Sequence, residues 1–134
     1  MRIEPPSTTA GRYDAGYTYL GPEVPDAGVT GQVVRVNDGV GDTGDACSAP
    51  IVNADEINGK IALIDVSLSD CFAVDAAGNA EAAGAIAVIM ANPPELGDSK
   101  VAWASNDETR IGIPSVIIGH TLGSTIKSQL PGGL

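Results

Sequence analysis

Basic side chains are scarce in this sequence: seven lysines and arginines face seventeen aspartates and glutamates, for a formal charge of −10. Such a surface repels a phosphate backbone at ordinary salt, which argues against nucleic acid as a partner. Long apolar runs are missing too. Ala85 to Ala91 is among the longest, far short of the roughly 20 residues that cross a bilayer, so no membrane insertion is expected. No charged-then-apolar signal segment precedes Gly11. One histidine and two cysteines cannot supply the four ligands of a structural zinc site. Asn-x-Ser/Thr acceptors are absent, which points toward a bacterial source.

What is present fits one domain. A chain of 134 residues folds to a radius of gyration of about 14 Å and can bury one core. Residues 1–10 read as a linker edge, residues 11–130 as the domain, and residues 131–134 as a second linker whose Pro131-Gly132-Gly133 stops the preceding helix. Both ends point to a larger parent.

Hydrophobic periodicity organises the middle of the chain. Tyr17 to Leu20 and Val29 to Val36 are β-prone pieces expected as edge or antiparallel strands. Asp38 to Asp45 alternates glycine with aspartate and reads as a solvated loop. Lys60 to Val66 is a continuous apolar run of the kind covered on both faces of a sheet. A helix follows, with Ala73, Ala77, Ala80 and Gly84 on one stripe and Gly84 placed to end it in the left-handed conformation. Ala85 to Ala91 is a second buried strand, and the crossover rule makes it a parallel neighbour of the first. After a long polar connection, Pro93 to Gly112, Ile113 to Gly119 gives a third strand. Thr121 is expected to cap a final helix with Leu122, Ile126 and Leu130 facing the core. Gly78 inside the first helix costs about 1 kcal/mol against alanine and calls for close packing or a family habit.

Cys47 and Cys71 flank one predicted strand. They can meet if that strand folds back beside the preceding loop, and a bridge would stabilise by roughly 3–4 kcal/mol in an oxidising compartment. Two unrelated thiols are the other possibility.

Together these pieces resemble the protease-associated (PA) domain family. The resemblance rests on Gly59 to Leu63 opening a strand, Cys71 in the turn after it, and Asn79 to Ala85 closing a helix. Ala87 to Asn92 as an apolar strand ending in asparagine, and Ile113 to Ile118 with its Ile-Pro-Ser-Val order, complete it. It covers about half of the chain, and it implies that Cys47 pairs with Cys71. The implied fold is α/β, a small three-layer β/β/α arrangement of the swivelling type. In it, compact or barrel-like sheets contain a parallel βαβ unit flanked by two helices. The implied role is that of a non-catalytic accessory domain of a secreted, extracellular peptidase, contacting polypeptide substrate, propeptide or the parent's catalytic domain. A sorting-receptor cargo domain is the alternative. Val66-Ser67-Leu68-Ser69-Asp70 stands where the family often carries a basic turn, so recognition through cations is not expected there.

Catalytic motifs are weak by comparison. Asp42-Thr43-Gly44 has the triplet of aspartic proteases, but those carboxyls follow a buried apolar strand and work as a pair. Ser67 with His120 and a carboxylate at a strand end, such as Asp65, would make a hydrolytic triad, yet no Gly-x-Ser-x-Gly elbow or oxyanion loop accompanies them. Asp38, Asp42 and Asp45 offer oxygens of the type calcium takes, at a spacing that misses the EF-hand, and no cofactor is expected. The residues expected to contact a partner are Ser67, Asp70, Trp103 and His120, on the loops that follow the strands. Trp103 is the natural anchor if exposed and a pin for its loop if buried.

Overall fold

The computed structural model describes residues 2–3, 11–12, 15–18, 20–99 and 111–130. Two short strands, β1 (Arg2–Ile3) and β2 (Gly11–Arg12), pair antiparallel as a separate two-stranded sheet. The main sheet has five strands: β3 (Gly16–Tyr17), β4 (Val33–Arg35), β5 (Ile61–Asp65), β6 (Ala87–Ala91) and β7 (Ser115–Ile118). Their order across it is β3-β7-β6-β5-β4. The last four run parallel, with Ile61 opposite Ala87 and Val88 opposite Ser115, and β3 adds antiparallel to β7. Among the described residues three helices accompany them: α1 (Ala54–Ile57), α2 (Ala73–Ala82) and α3 (His120–Gln129), with a 3-10 turn at Pro94–Leu96.

The central strands are apolar along their whole length because both of their faces are covered. All five residues of β6 and the first four of β5 are buried. Alternation sends Ala62, Ile64, Val88 and Met90 to one face, where Ala76, Ala77 and Ala80 of α2 join them. It sends Ile61, Leu63, Ala87, Ile89 and Ala91 to the other, where Ile118 of β7 and Ile126 of α3 complete the cluster, with Leu122 and Leu130 packed against it. Small residues set the spacing on the α3 side: a Cβ on Gly123 would lie 2.7 Å from the Ala91 Cβ, so only glycine lets the helix rest this close to β6.

The predicted βαβ unit is present, and β5 and β6 are parallel neighbours. Gly84 closes α2 as expected. Its φ is +97°, its N–H donates to the Glu81 carbonyl (2.9 Å), and the Ala85 N–H donates to the Ala80 carbonyl (3.2 Å), the paired bonds of a Schellman ending. Three details differ from expectation. The β-prone stretch Val29 to Val36 supplies an edge strand as expected, but only Val33–Arg35 of it is regular, pairing parallel to β5. The four-residue α1 has too little periodicity to be seen in sequence. And Thr121 does not cap α3: Gly119 holds the N-cap position, and the Asp98 carboxylate bonds the Thr121 N–H (2.8 Å) and hydroxyl (2.9 Å) instead. A charged oxygen from another loop satisfies an orphan donor better than a side chain already inside the first turn. At Gly78 a Cβ would meet nothing within 4 Å, so close packing does not explain that glycine.

Candidate functional site

The loops that follow β4, β5, β6 and β7 all emerge from one end of the parallel sheet, and Ser67, Asp70 and His120 of the predicted contact residues lie there. The loop after β4 and the loop after β5 are tied by a disulfide between Cys47 and Cys71, whose Cα atoms are 5.5 Å apart. Ser67 Oγ accepts the N–H groups of Ser69 (3.3 Å) and Asp70 (3.0 Å), so the serine shapes its own turn while Asp70 stays exposed.

The glycine-aspartate loop is not the solvated acidic turn expected from composition. Asp38 and Asp45 are buried, and only Asp42 of the three is exposed. Each carboxylate organises main chain: Asp38 accepts from the Val40 N–H (3.0 Å) and the Ser48 N–H (3.1 Å), Asp42 from Gly44 (3.2 Å), and Asp45 from Cys47 (2.9 Å). These bonds answer the donors that a glycine-rich loop leaves unpaired. Burial pushes the Asp45 carboxyl up from its usual 3.8 to about 6, against the lowering effect of the Cys47 N–H. Hydrogen bonding and repulsion from Asp38, with a further bond from Asp70, push it the same way. Among the described residues no three His, Cys, Asp or Glu side chains gather as a group able to hold a metal ion.

A second feature was not anticipated. Asp65, the last residue of β5, receives Arg35 Nη2 of β4 at 3.0 Å and Lys127 Nζ of α3 at 2.8 Å. One carboxylate thereby joins two strands and the helix beneath them. The neighbouring loop lies directly on this cluster, since a Cβ on Gly44 would stand 2.7 Å from Asp65 Oδ2, and the Gly44 carbonyl accepts the Asp65 N–H at 2.9 Å. Asp65 offers no free carboxylate for a catalytic role.

The loop after β6 is fastened from below. Buried Asn92 donates its amide to the carbonyls of Gly97 (3.3 Å) and Ser99, while its own Oδ1 meets no hydrogen-bond partner among the described residues. His120 Nδ1 lies 3.2 Å from the Asn92 carbonyl, and the His120 N–H donates to Gly97. The histidine thus serves the junction of β6 and α3. No hydrogen bond joins it to Ser67: Asp42 and Ser67 are each engaged with their own loop's main chain, and His120 with the Asn92 carbonyl after β6. Trp103 lies outside the described residues. Asn79, which opens the helix piece of the family pattern, donates its amide to the Ala46 carbonyl at 2.8 Å and clamps the disulfide loop onto α2, a contact that the sequence reading did not assign.

A four-strand parallel sheet with helices, carrying loops stiffened by carboxylates and one disulfide, defines a small mixed α/β domain. Residues 29–126 match the PA domain, and the chain belongs to that family. Among solved structures it is similar to BSAP, a zinc aminopeptidase from Bacillus subtilis, at 25% identity and a TM-score of 0.66. The likeness covers 92% of this chain and 27% of that one. A second structure of the same enzyme gives 27% identity and a TM-score of 0.64 over the same shares. The chain therefore spans about a quarter of the length of the peptidase it resembles. None of the curated proteins matches it by sequence.

Proposed function

We propose that this chain is a non-catalytic accessory domain of a secreted peptidase and that its loops make protein–protein contact with substrate, propeptide or the parent's catalytic domain. The observation that carries this reading is the likeness of nearly the whole chain to a minor part of a zinc aminopeptidase. The topology agrees. Strands β4 to β7 lie side by side in chain order, so the parallel part of the sheet never reverses direction and opens no crevice of the kind that holds ligands in doubly wound folds. What it offers at that end is a surface of loops. The disulfide between loops favours an oxidising compartment, consistent with an extracellular setting.

The test is made on the parent protein. Removing residues 11–130 should leave turnover of a small chromogenic substrate within about two-fold and change cleavage of protein substrates about ten-fold or more, the range that loss of a few contact residues produces. Equal loss on both substrates would sink the contact reading.

A further inference from the structure

Five large apolar side chains are exposed among the described residues, and four of them lie on the two loops that the disulfide joins. Val40 and Val52 are 59% and 66% exposed, and Leu68 and Phe72 are 50% and 68% exposed. Single exposed apolar residues are ordinary, but their concentration on one pair of fastened loops is not. The connections are short. Val52 Cγ2 would lie 2.8 Å from a Cβ on Gly39, next to Val40, and Phe72 adjoins Cys71, which is bonded to Cys47. The fifth, Ile86, sits at the opposite end of the sheet, where its N–H donates to Lys60.

The two loops that carry these four residues hold charges of one sign. Between Arg35 and Lys100 the sequence holds eleven carboxylates and a single cation, Lys60, which is placed with Ile86 at the far end. Asp42, Asp70 and Asp75 are exposed beside the apolar residues. The two nearby cations of the sheet and helix, Arg35 and Lys127, are both drawn to Asp65. The crowding is already felt within the loops, where Asp38 and Asp70 help to raise the Asp45 carboxyl.

We infer that the surface formed by Val40, Val52, Leu68 and Phe72 with Asp42, Asp70 and Asp75 docks a polypeptide segment in which arginine or lysine alternates with apolar side chains. Phe72 supplies the aromatic anchor, and the exposed aspartates select the cations and accelerate encounter. A second copy of the chain is a poor occupant, because it would bring two identical acidic rims together. The inference rests on the protein-contact reading above and narrows it to a chemical class of partner.

The test titrates the 134-residue chain into two fluorescein-labelled decapeptides, one alternating arginine and leucine, the other glutamate and leucine, with anisotropy as the readout. The arginine peptide should bind at least about ten-fold tighter and weaken as salt rises from low to about 0.5 M. Phe72→Ala, Leu68→Ala and Asp70→Asn should each weaken it about five-fold or more, while Ile86→Ala leaves it unchanged. All four side chains are solvent-exposed, and thermal melts confirm that each variant remains folded. Equal affinity for both peptides, indifference to Phe72→Ala, or no binding to either would each overturn the inference. Failure of the broader reading is separate, since that is decided by deleting the domain from the parent.

Discussion

The two ends of the parallel sheet are built by different means. At the end where β5 and β6 begin, main-chain bonds do most of the closing, helped by Glu81 Oε2, which accepts the Gly112 N–H at 2.8 Å. Gly59 N–H donates to the Gly84 carbonyl and Ile86 N–H to the Lys60 carbonyl, both at 2.9 Å, around two glycines with positive φ. At the end where those strands finish, side chains do the closing: a disulfide, buried aspartates, the Asp65 ion pairs, and the amides of Asn79 and Asn92. Main-chain closure constrains only where glycine must stand. Side-chain closure leaves the loop tips free to vary, and the exposed valines, leucine and phenylalanine are found there.

Breaking the side-chain end should have the largest effect. Reduction, or Cys47→Ser with Cys71→Ser, opens a loop of 24 residues' separation and should lower stability by roughly 3–4 kcal/mol, seen as a melting temperature about 10–20 °C lower. Next comes Asp45. Because its folded pKa of about 6 lies above the ordinary 3.8, the native state holds the proton more tightly, and stability falls as pH rises through that window. Asp45→Asn keeps the acceptor for Cys47 without the charge. Its melting temperature should match the parent near pH 3.5 and exceed it at pH 7, by up to about 3 kcal/mol in stability. A uniform difference at both pH values would show that titration of Asp45 is not the cause.

At the main-chain end, Gly84→Ala should cost about 2 kcal/mol in urea denaturation. The new Cβ carries a left-handed backbone and stands 2.3 Å from Asn58 Oδ1. Gly78→Ala, one helix position class away, should do the opposite. With open space around the Cβ it should stabilise by about 0.5–1 kcal/mol, the smallest of these effects and a sharp control on the glycine argument.

This contrast also explains what could be read in advance. The continuous run Ile61 to Ile64, the alanine stripe of α2 and Gly84 at its end carry their meaning in local order, because burial on two faces, helix period and positive φ each leave a mark on neighbouring residues. Asp38 and Asp45 carry none. Composition made them a wet loop, whereas main-chain donors at Val40, Cys47 and Ser48 draw their carboxylates inside. Asp65 with Lys127 and Asp98 with Thr121 are joined across 62 and 23 residues, and such pairings depend on topology that no local spacing encodes. The disulfide was legible only through the family pattern, since two cysteines alone leave its existence open.

The order of the strands has a kinetic consequence. From β4 to β7 each strand pairs with the next one along the chain, so the parallel sheet can grow by successive addition as a nascent polypeptide lengthens. The pairing of Gly16 with Ile117 is the exception: it joins nearly opposite ends of the chain and cannot form until β7 has been synthesised. The antiparallel edge is therefore the last part of the main sheet to be sealed during synthesis, and it cannot form in any chain that ends before Ser115.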